Sequence, residues 1–258
     1  MARFTRAIVR RPGPNFADGL TMATLGTPDL ELALEQHAAY CAALERCGLE
    51  LTVLPPEPSH PDAPFVEDTA VLVAGHTMLS RPGAPSRQGE VPSIRTALLP
   101  WFPEPGEISA PGTLDGGDIC EAERHVFIGI SERTNPEGAR QLSDWLAGLG
   151  YGTTCIDIRG RRDLLHLKTG MSYLGDNRMV LIDALVGLES FRNYEVVRVP
   201  PEETYAANCL RVNDAVLLPA GYPALQAALR YQGYQLITLE MSEFQKLDGG
   251  LSCLSLRF

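Results

Sequence analysis

The sequence predicts a mixed α/β fold of five repeated units closed into a ring, with residues 1–258 forming a single domain. Three observations lead there. Short apolar segments recur five times, most with a polar turn and a second strand close behind. Helix-period patterns lie between most of them. No linker, low-complexity segment or charge block divides the chain, and five units in 258 residues average about 50 each.

The elements follow in order. The N-terminal stretch 1–11 is Arg-rich, lacks acids and alternates polar with apolar, so it reads as a first strand over Arg6–Arg10 rather than as an organelle-targeting peptide. Residues 29–47 carry apolar side chains at Leu30, Leu34, His37 and Ala38, Cys41 and Leu44, behind Pro28, and predict a helix. The first repeat segment, 65–68, leads into a strand over 69–79, and the second, 113–118, leads into His125–Ile130. Residues 136–149 predict a helix that Gly150 stops. Segment 165–170 precedes Arg178–Ile182, and 207–210 precedes Ala215–Pro219. A shorter helix covers Pro223–Tyr231 and ends at Gly233. The fifth segment, 251–254, runs out at Phe258 without a helix, and the N-terminal strand and the helix after it could complete that unit and close the ring. Closure of this kind removes exposed sheet edges. A doubly wound sheet is the alternative for such a chain, but no Gly-rich phosphate loop supports it.

Composition narrows the function. The 45% hydrophobic and 21% charged fractions are those of a globular protein, and no apolar run reaches the roughly 20 residues that span a bilayer. A net charge of −10 argues against a nucleic-acid partner and allows a cationic small molecule. Six cysteines without CxxC spacing fit a reducing, cytoplasmic compartment. Oligomeric state is left open, a homodimer included.

Closing the ring brings the first segments to one axis, where Asp68, Asp115, His166 and Cys253 converge. Cys253 follows Gly249 and Gly250 on a short apolar, strand-like segment, and those glycines let backbone approach a ligand. A lone cysteine is a weak motif, and a buried packing thiol is the other reading. A thiolate beside an imidazole performs covalent acyl-type or amidine-type transfer. Surrounding carboxylates would repel an oxyanion but suit a guanidinium, whose N–H fork they match. That cation would in turn lower the pKa of the thiol. His166 could protonate the departing amine and later deprotonate water, with Asp115 holding a guanidinium nitrogen, orienting His166, or both. Arg87 and Arg133, each on a loop, would bind an α-carboxylate; taken singly, each reads as a surface charge. His37, His60, His76 and His125 carry no evident chemistry. No cluster has zinc-ligand spacing, and the site needs no metal or organic cofactor.

The segments Pro61-Asp62-Ala63-Pro64-Phe65-Val66-Glu67-Asp68, Arg81-Pro82-Gly83-Ala84, Leu114-Asp115-Gly116-Gly117-Asp118, Arg133-Thr134-Asn135, Leu165-His166-Leu167-Lys168 and the Cys253 tail together resemble dimethylarginine dimethylaminohydrolases. The likeness runs over nearly the whole chain, in order, and extends to Tyr205-Ala206-Ala207-Asn208-Cys209 and Pro219-Ala220-Gly221-Tyr222-Pro223. The resemblance implies a five-bladed α/β propeller (pentein) of the amidinotransferase type. It implies Cys253 as nucleophile, His166 as general acid and base, and Asp115 as the third catalytic group. Asp68, and less directly Glu67, would hold the guanidinium. Asp62 and the Leu20 carbonyl would bind the α-amino group, Arg87 and Arg133 the α-carboxylate, and the Leu247 carbonyl would lie near the substrate. Residues 16–21 resemble the family's mobile lid. The implied reaction is hydrolysis of Nω-methylated arginine to citrulline and a methylamine through a covalent thiouronium. Deiminases or amidinotransferases acting on arginine or agmatine are the nearest alternatives. Arginine deiminases are generally longer, and agmatine lacks the carboxylate. A non-catalytic propeller of the ribosome-associated kind stands further off.

Overall fold

Five three-stranded sheets surround one axis in the computed structural model, which describes residues 3–161 and 164–258. Met1 and Ala2 of the Arg-rich N-terminal stretch lie outside the described residues. The strand β1 (Arg6–Arg10) pairs in parallel with β2 (Glu50–Leu54). The next three sheets are β3 (Ala70–Val73), β4 (His76–Leu79) and β5 (Gly106–Glu107); β6 (Ile119–Ala122), β7 (His125–Ile130) and β8 (Gly152–Asp157); and β9 (Met171–Gly175), β10 (Arg178–Ile182) and β11 (Glu195–Val199). β12 (Leu210–Val212), β13 (Ala215–Pro219) and β14 (Gln235–Leu239) form another. Finally β15 (Leu256–Arg257) returns to pair antiparallel with β1, so the two ends of the chain share one blade and close the ring.

Each blade has an inner strand antiparallel to its middle strand and an outer strand parallel to it. The middle strands are covered on both faces, which is why β7, β10 and β13 read as continuous apolar runs. The outer strands are half exposed and alternate, as in β2 and β8. Their mixed composition hid them from the sequence pattern, which found only the first segment and middle strand of each unit.

Four connections carry helices: α1 (Leu30–Arg46), α2 (Val91–Leu98), α3 (Pro136–Gly148) and α4 (Pro223–Tyr231). A one-turn α5 (Ser242–Gln245) follows, and the β10–β11 connection has only a 3₁₀ turn at Glu189–Phe191. The caps explain two of the starts. Asp29 accepts from the Leu32 N–H, and Asn135 accepts from the Gly138 N–H, each satisfying a free amide of the first turn.

Two sequence expectations shift. The buried stripe of α1 is Ala33, Gln36, His37, Tyr40, Ala43 and Leu44, about one position round from the expected one. Tyr40 sets that rotation: it is fully buried and its hydroxyl meets Ser255 Oγ at 2.6 Å, so it carries both apolar area and a satisfied polar tip. Residues 69–79 form not one strand but the hairpin β3–β4, turned at Ala74 and Gly75, both with positive φ. Among the described residues no helix is long and apolar enough to cross a membrane.

Candidate active site

The inner ends of the blades are short 3₁₀ turns: Val66–Thr69, Gly116–Asp118, Leu167–Thr169, Pro201–Ala207 and Ser252–Leu254. Cys253 therefore sits on a 3₁₀ turn, not on the strand-like segment expected. Gly249 and Gly250 before it are packed too closely for a side chain: a Cβ would lie 2.2 Å from the Phe65 ring or 2.6 Å from Asn208 Cγ. Asn208 clamps this turn from the neighbouring blade, accepting from the Ser252 N–H at 2.9 Å and donating to the Lys168 carbonyl at 3.1 Å.

One cavity gathers most of the expected residues. Its walls are Leu20, Asp62, Phe65, Asp68, Arg87, Arg133, Leu165, His166, Leu247, Asp248, Gly249 and Cys253. Asp115 stands fully buried behind His166, with its Oδ2 3.0 Å from the imidazole Nε2 and its Oδ1 accepting the Gly83 N–H at 2.8 Å. Asp68 Oδ1 lies 4.0 Å from the same imidazole nitrogen and accepts the Gly117 N–H at 2.8 Å. The glycines make this approach possible. A Cβ on Gly116 would come within 1.9 Å of the Glu67 carbonyl, and one on Gly117 within 2.9 Å of the His166 ring and of Asp68 Oδ1.

Electrostatics follow from this crowding. Burial pulls the His166 pKa down, but the Asp68 charge, the hydrogen bond to Asp115 and the charges of Asp118 and Asp115 outweigh it and raise it to about 9. Burial pushes the Cys253 thiol up to about 12, reinforced by Glu67 and Asp68 and only partly opposed by the Gly250 N–H, which lies 3.4 Å from the sulfur, and by Lys168. The imidazole is thus a cation at neutral pH and the free thiol is protonated. A cation entering the cavity would reverse the bias on the thiol.

Arg87 departs from expectation. It lines the cavity but is buried and heavily committed: to Asp68 Oδ2 at 2.5 Å, to both Glu90 oxygens at 3.0 and 2.9 Å, and to the Phe65 carbonyl at 3.0 Å. Its main contacts brace Asp68 rather than leave a fork free for a carboxylate. Glu90, which sequence reasoning missed, balances that cation, and burial raises its own pKa to about 7. Arg133, by contrast, makes no side-chain hydrogen bond or ion pair among the described residues.

Glu67 is corrected. Its carboxylate faces away from this cavity, toward Lys168 Nζ at 2.6 Å, Ser252 Oγ at 2.7 Å and Arg257 at 3.3 Å, and it lines a different space. In a 3₁₀ turn successive side chains diverge by about 120°, so Glu67 and Asp68 cannot share a face.

At the mouth, Asp62 Oδ1 accepts the Leu20 N–H at 2.9 Å, and burial, opposed mainly by Arg87, raises the Asp62 pKa. Asp248 was overlooked. It accepts the Met22 N–H at 2.6 Å and the Thr21 hydroxyl at 3.1 Å, tying these two residues across the opening. Its place before two glycines was the available signal; the structure adds a positive φ of 58°, which Asp tolerates better than most residues. Among the described residues the only group with metal-ligand spacing is Asp68, Asp115 and His166. Arg87 and the imidazolium already balance its two carboxylates, and this chemistry suits an organic cation better than a dication.

Comparison with known proteins agrees with this geometry. A family model described as arginine deiminase matches residues 92–210. The N(G),N(G)-dimethylarginine dimethylaminohydrolase of Pseudomonas aeruginosa is 42% identical over 99% of this chain and 100% of its own. That of Streptomyces coelicolor is 33% identical over 98% and 96%. Among solved structures, a cysteine-to-serine variant of the Pseudomonas aeruginosa enzyme complexed with citrulline superposes with a TM-score of 0.96 at 41% identity, covering all of both chains. A histidine-to-glycine variant of a dimethylarginine dimethylaminohydrolase, an adduct with S-methyl-L-thiocitrulline, superposes at 0.95 and 41%, covering 99% of this chain and 100% of its own. With five closed blades, and a thiol, an imidazole and acids lining one cavity, the chain belongs to the dimethylarginine dimethylaminohydrolase family.

Proposed function

We propose that this protein hydrolyses Nω-methylated L-arginine to L-citrulline and methylamine or dimethylamine through a covalent intermediate on Cys253. The observation that carries this reading is a single cavity in which Cys253, His166 and the carboxylates of Asp62 and Asp68 face one another, with Asp115 behind the imidazole.

Asp68 holds the guanidinium nitrogens, and their positive charge lowers the Cys253 pKa so that the thiol gives its proton to solvent and stands as thiolate. Its sulfur attacks the guanidinium carbon. The methylated nitrogen leaves as a neutral amine, taking a proton from the His166 imidazolium, and an S-alkylthiouronium remains. His166, now neutral, accepts a proton from water as the water adds to the same carbon. The C–S bond then breaks as the added hydroxyl gives its proton to solvent, citrulline is released and the thiolate returns. Asp115 keeps the imidazole oriented through both transfers. Arg133 binds the α-carboxylate, Asp62 with the Leu20 and Leu247 carbonyls binds the α-ammonium end, and Arg87 acts mainly by fixing Asp68. No cofactor takes part.

The six cysteines are all unpaired, which fits a reducing compartment such as the cytoplasm. The deciding experiment presents the purified protein with dimethylarginine, monomethylarginine, arginine and agmatine, and measures citrulline and released amine. Methylated arginines are expected to turn over fastest. Faster turnover of plain arginine would make the protein a deiminase, and no turnover of any guanidine would end the enzymatic reading.

A further inference from the structure

We propose that Asp118 is a positioning residue that locks the Arg133 loop, the Asp115 turn and the His166 turn into one rigid frame. The inference rests on the hydrolase reading above. Asp118 is fully buried and is not among the residues lining the active-site cavity. Its Oδ1 accepts the Leu167 N–H at 2.9 Å, one residue beyond His166. Its Oδ2 accepts the Ser131 hydroxyl at 2.6 Å. Ser131 Oγ in turn accepts the Arg133 and Thr134 N–H groups, each at 3.0 Å, and Thr134 Oγ1 accepts the Asp115 N–H at 3.1 Å. One carboxylate thus joins three segments that each carry a residue of the site.

The strand behind it is shaped for this purpose. Gly129 interrupts the apolar run of β7, and a Cβ there would lie 2.7 Å from Asp118 Oδ1 and 2.8 Å from Leu167 Cβ. The carboxylate also adds negative charge beside His166, and burial raises its own pKa to about 6 against the opposing His166 charge and the Ser131 and Thr134 hydrogen bonds. Other charged groups facing the imidazole are Asp68 and Asp115, with Arg87 behind Asp68; Cys253, Asp62, Arg133 and Asp248 share the cavity. Lys168, on the same turn, is turned away to Glu67.

Two variants test this. Asp118→Asn places an amide where Ser131 must donate, while Ser131 is already accepting twice. In the ligand-free protein, the His166 imidazole titration followed by NMR should fall by at least about 0.5 pH unit, because one facing charge is lost. With methylated arginine, kcat should drop at least about tenfold. Ser131→Ala keeps the charge but cuts the strut to Arg133. It should raise KM at least about threefold, with kcat and the His166 titration held. An unmoved titration and wild-type kcat in Asp118→Asn, or an unchanged KM in Ser131→Ala, overturns the proposal. If Asp118→Asn does not fold, Ser131→Ala decides by its KM. The NMR readout needs no turnover, so an inactive wild-type protein would sink the functional reading while leaving this test in force.

Discussion

Two cavities are lined by the same inner turns, and they solve the problem of buried charge differently. The axial one is bounded by the inner strands of all five blades and contains Glu67, Lys168, Ser252 and Arg257. There every charge meets a partner from the protein: Glu67 alone binds Lys168, Arg257 and Ser252. The other is built from the loops around Asp62, Asp68, His166 and Cys253, and among the described residues it leaves Asp62, Asp248 and Arg133 without ion-pair partners beside a protonated thiol. The neighbours Glu67 and Asp68, or Ser252 and Cys253, fall on opposite sides of this division. The lesson is that a closed ion-pair network serves the scaffold, whereas charges left without partners around a thiol and an imidazole serve a ligand and its chemistry.

The sharpest way to break that comparison is to substitute adjacent residues. Cys253→Ser should lower amine release by at least about 10⁴-fold while ligand binding persists, since no other group supplies the nucleophile. Ser252→Ala, one residue away, should cost less than about tenfold, because losing one hydrogen bond to Glu67 perturbs only the support. Equal losses in the two variants would erase the distinction.

A second pair lies on the first turn. Asp68→Asn should cut kcat/KM by about 10³-fold by weakening the hold on the guanidinium and unpairing Arg87. Glu67→Gln should leave KM within a few-fold but destabilise the fold by about 3 kcal/mol, because it leaves the Lys168 and Arg257 charges poorly matched inside the ring. Denaturant midpoints and steady-state kinetics separate these outcomes; a Glu67→Gln enzyme with normal stability and a collapsed KM would reverse the assignment of the two cavities.

The pH behaviour of the thiol sharpens the same contrast. A raised pKa for a group that becomes anionic means the thiol is neutral at pH 7 without ligand. The ultraviolet difference between wild type and Cys253→Ser should therefore show thiolate only near pH 12. A saturating guanidinium ligand that is not turned over should shift that midpoint down by at least about two pH units, whereas neutral citrulline should not. Equal shifts with both ligands would remove the charge-induced activation from the mechanism. Among the residues that line the cavity, a smaller effect than those of Cys253 and Asp68 belongs to Arg133→Ala, expected to raise KM about 10- to 100-fold with kcat nearly constant, because its contact is the same in ground and transition states. A large fall in kcat at constant KM would place Arg133 in the chemistry instead.

Much of the site was legible from residue order. Asp68, Asp115, His166 and Cys253 each sit in or immediately before the inner turn of a repeated unit, and ring closure brings such turns together. Arg87 was legible as a residue of the site but not as the brace it makes. Its partners Asp68 and Glu90 are identified only by distance in space. Glu90 carried no motif, and Asp248 was hidden beside the two glycines that drew attention to Cys253. The outer strands escaped because half-exposed strands give weak periodicity, and α2 because its one apolar face, Val91, Ile94 and Leu98, spans only eight residues.

The sequence by itself determined the number of units, the middle strands other than β4, three of the helices and the closing role of the N-terminal strand, because apolar period and turn residues are local properties. Only the tertiary structure decided which side of each inner turn faces which cavity. A 3₁₀ turn rotates successive side chains by about 120°, and the direction of that rotation relative to the axis is set by packing among five blades rather than by any one of them.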